Sequence, residues 1–122
     1  MTKIPRISEA EWEVMKVLWA RSPRAAQEVV EALARRTDWH HRTIRTLLSR
    51  LVKKGALAFS REGRSYLYRP RVAEEECVKA VSESFLDRVF GGALQPMLSH
   101  FVSQKKLSKK EIADLKRLLE EQ

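Results

Sequence analysis

HRTIRTLLSRLVKK, residues 41–54, carries opposite chemistry on its two sides. Wound as a helix at about 100° per residue, it places Ile44, Leu47, Leu48 and Leu51 at i, i+3, i+4 and i+7 along one face. The other face holds Arg42, Arg45, Thr46, Ser49, Arg50 and Lys53, and the segment contains no acid. The apolar side is suited to burial in a small core. The polar side offers guanidinium forks and short hydroxyls, which pair with phosphate oxygens and with base edges in a major groove. A basic helical face is by default only a solvated surface, so the flanking sequence has to separate the two readings.

Upstream, Ser8 with Glu11 forms a capping box, and Ile7 with Trp12 supplies the matching hydrophobic staple. A helix over about Glu9–Ala20 follows, with Trp12, Met15, Leu18 and Trp19 as its apolar stripe. Ser22-Pro23 breaks it, and Pro23 is tolerated at the start of the next helix. Ala26, Val29, Val30 and Leu33 mark that second helix, which ends at Arg35-Arg36. Thr37-Asp38-Trp39 links it to the basic helix, and Gly55 provides a left-handed stop. Downstream the period changes. Ala56–Arg61 and Arg64–Arg69 read as strands flanking a Glu62-Gly63 turn, and Pro70 closes the unit. Three helices and a two-stranded ribbon, in this order, predict a winged helix-turn-helix over residues 1–72. Such a ribbon is marginal alone and must lean on the helices.

Charge supports the nucleic-acid reading. The 122 residues carry 24 Lys and Arg against 16 Asp and Glu, a formal net of +8. Residues 1–72 hold 16 bases and 7 acids, and residues 73–122 hold 8 and 9. Residues 42–71 alone hold 9 bases against the single acid Glu62. A one-sign field concentrated in one stretch calls for a polyanionic partner, with double-stranded DNA favoured over a membrane surface. No apolar run is long enough to insert in a bilayer, and MTKIPRISEAE has no apolar signal segment. Cys77 is the only cysteine, so no intrachain disulfide is expected, and the chain reads as cytoplasmic. Arg45 and Thr46 point furthest from the buried stripe and lie early in the helix, where docking reads bases. Arg42, Thr43 and Arg50 read as backbone-positioning residues. Lys53 adds charge nearby, and Arg61 and Arg64 bracket the wing turn within reach of phosphates or the minor groove.

Residues 73–122 return to helical periodicity. Val78, Val81, Phe85 and Val89 line a helix over about Ala73–Phe90, which Gly91-Gly92 stops. Leu94, Met97, Leu98, Phe101 and Val102 mark a fifth helix. Ser108 with Glu111 and Leu107 with Ile112 repeat the capping box and staple before a sixth, carrying Ile112, Leu115, Leu118 and Leu119. Three short amphipathic helices cannot hide these stripes within one protomer. The expectation is therefore a three-helix dimerisation arm after the winged helix, in a mainly α chain with a small β-ribbon.

Other chemistries find little footing. His40 and His41 are neighbours, His100 and Cys77 stand apart, and no spacing matches a zinc site. There is no glycine-rich phosphate loop and no nucleophile–base constellation, so neither an enzyme nor a cofactor is expected. Trp12, Trp19 and Trp39 read as packing residues, and Cys77 as a small buried residue of the arm.

The segments ISEAEWEVMKVLW (7–19), TDWHHRTIRTLLSRLVKKGAL (37–57) and SFLDRVFGG (84–92) resemble the penicillinase and methicillin-resistance repressors, the BlaI/MecI family. The resemblance spans essentially the whole chain. It implies a homodimeric repressor with an N-terminal winged helix and a C-terminal helical dimerisation domain, bound to pseudo-palindromic operators and often placed beside resistance genes. It further implies a membrane sensor that detects the drug, after which the repressor is cleaved within its dimerisation domain. The family's base- and phosphate-contacting positions on the third helix correspond to Arg42, Thr43, Arg45 and Thr46. Its cleaved bond joins Asn to Phe, and the aligned pair here is His100-Phe101. The best-known members begin the third helix with Ser-Pro, where this chain has His40-His41. The cysteine-rich C-terminal motif of the copper-responsive branch is absent. Two alternatives stay open in the residues alone: a winged helix that packs on a protein partner, and a regulator that holds a small molecule or metal between the helices of the arm.

Overall fold

The computed structural model describes residues 4–122; the first three residues of the expected 1–72 domain, at the head of the MTKIPRISEAE stretch, lie outside the described residues. Helix α1 (Glu9–Ala20) starts at the expected capping box. The Glu11 N–H donates to Ser8 Oγ at 3.1 Å, and the Ser8 N–H donates to Glu11 Oε1 at 2.8 Å. After it come strand β1 (Arg24–Ala25), α2 (Ala26–Ala34), α3 (His41–Lys54), β2 (Leu57–Glu62), β3 (Ser65–Pro70), α4 (Glu74–Phe90), α5 (Leu94–Ser103) and α6 (Lys109–Glu120). The fold is mainly α with a small antiparallel sheet, in winged-helix order, as the sequence predicts.

The sheet differs in detail. It has three strands, ordered β1-β3-β2, because Arg24 and Ala25 pair with Tyr68 and Leu67 along the free edge of β3. Pro23 therefore leads into a strand, and α2 begins only at Ala26. A two-residue strand carries no period, so nothing in the sequence marks it. The hairpin turn is also one residue later than expected. Glu62 pairs with Ser65, leaving Gly63 and Arg64 as the central residues. Gly63 takes φ +62° while Arg64 stays out of the left-handed region. Glycine first is the preference of a type II′ turn, whose twist matches the flanking strands.

The chain divides into two compact units, Met1–Val78 and Lys79–Gln122. The first is built around α3. Ile44, Leu47, Leu48 and Leu51 are buried against Val14, Met15 and Leu18 of α1, Val29 and Leu33 of α2, and Leu57 of β2. Gly55 ends α3 at φ +85°, and the Ala56 N–H reaches back to the Leu51 carbonyl at 2.9 Å, closing a left-handed cap. Trp12, Trp19 and Trp39 are half-buried against this core, and the Trp19 indole N–H donates to the Val72 carbonyl at 3.0 Å. Cys77 is fully buried, but in this same cluster rather than in the arm. The first turn of α4 is the amphipathic edge that brings it there. Burial raises the Cys77 thiol above its ordinary pKa, and the neighbouring Glu76 charge adds to the effect.

The second unit has a different texture. Neither α5 nor α6 contains a buried residue, and Cys77 is the only buried residue of α4. Val81, Val89, Leu94, Leu118 and Leu119 are each at least half exposed.

Candidate nucleic-acid interface

The core that buries one side of α3 leaves the other side free. Arg42, Thr43, Arg45, Thr46, Ser49, Arg50 and Lys53 are all exposed, so the two faces separate as the 3.6-residue period requires. The helix begins at His40, whose Nδ1 accepts the Arg42 N–H at 3.1 Å. A histidine ring in this role holds its unprotonated nitrogen toward the helix, doing the work of the shorter side chains usual at this position. His40 and His41 lie ring against ring, with centroids 4.2 Å apart.

Two side chains of this face have local partners. The Thr46 hydroxyl donates to the Arg42 carbonyl at 2.9 Å. One Arg45 Nη donates to Gln27 Oε1 at 3.4 Å, and Gln27 Nε2 donates onward to Glu31. Arg42, Arg50 and Lys53 form none of the side-chain hydrogen bonds or ion pairs found among the described residues.

Lys53 and Lys54 part company here. Lys54 bends away from the basic face, and its ammonium donates to the Glu11 carboxylate and, at 2.9 Å, to the Arg6 carbonyl. Burial alone would raise the pKa of Glu11, which is 2% exposed, but hydrogen bonds with Lys54 and Ser8 outweigh it and hold the carboxyl below its ordinary range. Lys54 therefore ties the last turn of α3 to the first turn of α1. Sequence spacing carries no trace of this pair, because 43 residues separate its members.

On the wing, Arg61 Nε donates to the Gly63 carbonyl at 3.1 Å, so one arginine braces the turn while Arg64 occupies its tip. Arg45 and Arg64 come together across a cleft of about 240 Å³, lined also by Ala25, Ala26, Gln27, Ser65, Tyr66 and Tyr68. Cationic and hydrogen-bonding groups from α2, α3 and the wing thus border one concave surface with no carboxylate in its wall. Gln27, Tyr66 and Tyr68 had no place in the expected site. Strand alternation puts both tyrosines on one face of β3, but their approach to α3 depends on the register of the sheet.

Among the described residues no three His, Cys, Asp or Glu side chains gather as a metal site requires, and no helix is long and apolar enough to cross a membrane. In the second unit, Val81, Val89, Leu94, Phe101, Leu118 and Leu119 are exposed, and Phe85, Met97, Leu98, Ile112 and Leu115 are half-buried. Val78, at the end of the first unit, is exposed too. His100 and Phe101 are adjacent, exposed residues of α5 with ring centroids 5.3 Å apart.

A family model described as "Penicillinase repressor" matches residues 7–121. The chain belongs to the penicillinase repressor family. It is 44% identical to the penicillinase repressor of Bacillus licheniformis over 121 residues, 99% of this chain and 94% of that one. It is 33% identical to the methicillin resistance regulatory protein MecI of Staphylococcus aureus, over 96% of this chain and 95% of that protein. Among solved structures, the Bacillus licheniformis BlaI monomer in complex with the blaP half-operator superposes with a TM-score of 0.55 at 47% identity, over 62% of this chain and 93% of that one. As a penicillinase repressor the protein is a DNA-binding transcriptional regulator, not an enzyme.

Proposed function

We propose that this repressor binds a pseudo-palindromic operator as a homodimer, in the cytoplasm, and controls a resistance or sensor operon. The carrying observation is the acid-free, exposed face of α3 with Arg45 and Thr46 in its first two turns. Each α3 enters a major groove, the two lying about 10 base pairs apart or a small multiple of that. Arg45 offers a fork to guanine O6 and N7. Thr46, its hydroxyl already engaged, offers its methyl to a thymine. Arg42, Thr43 and Arg50 position the sugar-phosphate backbone, Lys53 adds charge, and Arg61 and Arg64 place the wing.

Residues 1–72 form the reading domain and 73–122 the pairing domain in this proposal. Val78, Val81, Phe85, Val89, Leu94, Met97, Leu98, Phe101, Ile112, Leu115, Leu118 and Leu119 supply the dimer face; none is buried within one chain, which supports the assignment. Release follows cleavage at His100-Phe101 by a membrane sensor protease that responds to the drug. Both residues sit in the last turn of α5, so the bond becomes a substrate only when that turn opens.

The test is salt-dependent operator binding by the full-length chain, with sedimentation to follow assembly. If 5 to 6 cations per protomer meet phosphates, log affinity against log salt should slope at about −9 to −11. A protein that stays monomeric at micromolar concentration, or ignores duplex DNA at low ionic strength, rejects the proposal.

A further inference from the structure

We infer that the wing makes an apolar contact with DNA in addition to its charged one: Phe59 and Tyr66 seat against the sugar edges of the minor groove beside the half-site. The hairpin register puts Leu57, Phe59, Arg61, Tyr66, Tyr68 and Pro70 on one face of the ribbon. At its base that face is core, with Leu57 1% exposed. Further out it leaves the core but keeps aromatic rings beside Arg61, so that Phe59 is 49% and Tyr66 47% exposed. A ribbon tip that served only solubility would carry no large exposed rings there. Instead Phe59 packs edge-to-face on Tyr66 with centroids 5.1 Å apart, and Tyr68 lies 6.1 Å from Phe59. The rings hold one another in place before any partner arrives, which lowers the ordering cost of binding.

The surroundings select the occupant. Arg61 shares this face, and Arg64 stands at its tip. Residues 42–71 carry 9 bases and one acid, so a second copy of this surface would be repelled and a polyanion drawn in. Tyr66 and Tyr68 line the same cleft as Arg45 and Arg64, which makes the aromatic patch continuous with the basic face of α3. Duplex DNA offers the apolar carbons of deoxyribose directly beside its phosphates, and proteins that enter the minor groove frequently bring apolar side chains into it. Guanidinium on phosphate with ring on sugar uses both chemistries of one strand.

The inference rests on the reading of Arg61 and Arg64 as DNA contacts, and the experiment keeps the two apart. Full-length wild type, Phe59→Ser, Tyr66→Ser and Arg64→Ala are titrated over a range of salt against a duplex selected from a random pool by the wild-type protein. Melting and sedimentation are followed in parallel. Each aromatic variant should bind about tenfold more weakly, through lost apolar burial, at an unchanged salt slope, because no counterion accompanies an apolar contact. Hydroxyl-radical protection of the sugars flanking the half-site should fade with it. Unchanged affinity and protection would overturn the inference. So would a slope reduced by about one, meaning the rings act only through an arginine, and so would a loss that tracks dissociation into monomers, meaning a second copy covers the patch. If Arg64→Ala alters neither affinity nor slope, the wing reading itself fails; if Arg64→Ala weakens binding and the aromatic variants do not, only the apolar contact falls.

Discussion

The two capping-box glutamates of this repressor are the same local device in two settings. Ser8 and Glu11 open α1 and Ser108 and Glu111 open α6, with matching reciprocal hydrogen bonds. Glu11 is buried and takes an ammonium from the far end of α3, whereas Glu111 is solvated and its box serves only its own helix. The contrast extends to the units that contain them. The first closes a core of buried side chains from α1, α2, α3, β2 and the first turn of α4, and the second leaves its apolar stripes half open. Local sequence grammar starts a helix in either place. Only a partner, internal or external, completes it.

The sharpest probe of that difference is a matched pair of leucines. Leu48→Ala, at a site 1% exposed, should cost about 2–5 kcal/mol in chemical denaturation. Leu118→Ala, 56% exposed, should fall within about 0.5 kcal/mol for the isolated protomer. Equal losses in dilute monomer would mean that the second unit has a core of its own. Next, Val89→Asp with Leu118→Asp should dissociate the dimer and weaken operator binding by about 100-fold, the loss expected when two tethered contacts become independent; full operator affinity in a dimeric double variant would clear these residues of the pairing face.

Lys54→Met comes third. It strands the Glu11 carboxylate at a cost of about 1–3 kcal/mol, less than for a fully buried pair because the Lys54 side chain is 37% exposed. The same pair sets an acid limit. The Glu11 carboxyl is held below its unfolded value, so its contribution is complete above the ordinary carboxylate range and disappears as pH falls through the folded value. Glu11→Gln should flatten the acid side of the stability profile. Glu111→Gln, also depressed but fully exposed, should change it far less.

The smallest effects separate readers from positioners. Arg45→Ala should cost about 1–3 kcal/mol at one base position, while Arg64→Ala should weaken all sequences alike and reduce the salt slope by about one. Equal losses across operator variants for both substitutions would erase the division.

What could be read beforehand follows from how far each signal travels along the chain. The buried stripe of α3, both capping boxes and the Gly55 stop are local, and they appear in the sequence as they do in the fold. β1 was illegible because two residues show no alternation, and the hairpin turn lay one residue off because Glu62-Gly63 and Gly63-Arg64 both satisfy a glycine-bearing turn. The basic face of α3 was legible. Gln27 beside Arg45, the tyrosine wall of the cleft and the inward turn of Lys54 were not, since each joins distant segments. The burial of Cys77 is legible from its residue type, whereas its neighbours depend on where the first turn of α4 packs.

One practical outcome concerns retargeting. Anyone who grafts a foreign recognition sequence onto this scaffold can rewrite the outward positions as far as Lys53. The next residue is an anchor bolt for a different helix, and the transplant must keep a long cationic side chain there or replace Glu11 at the same time.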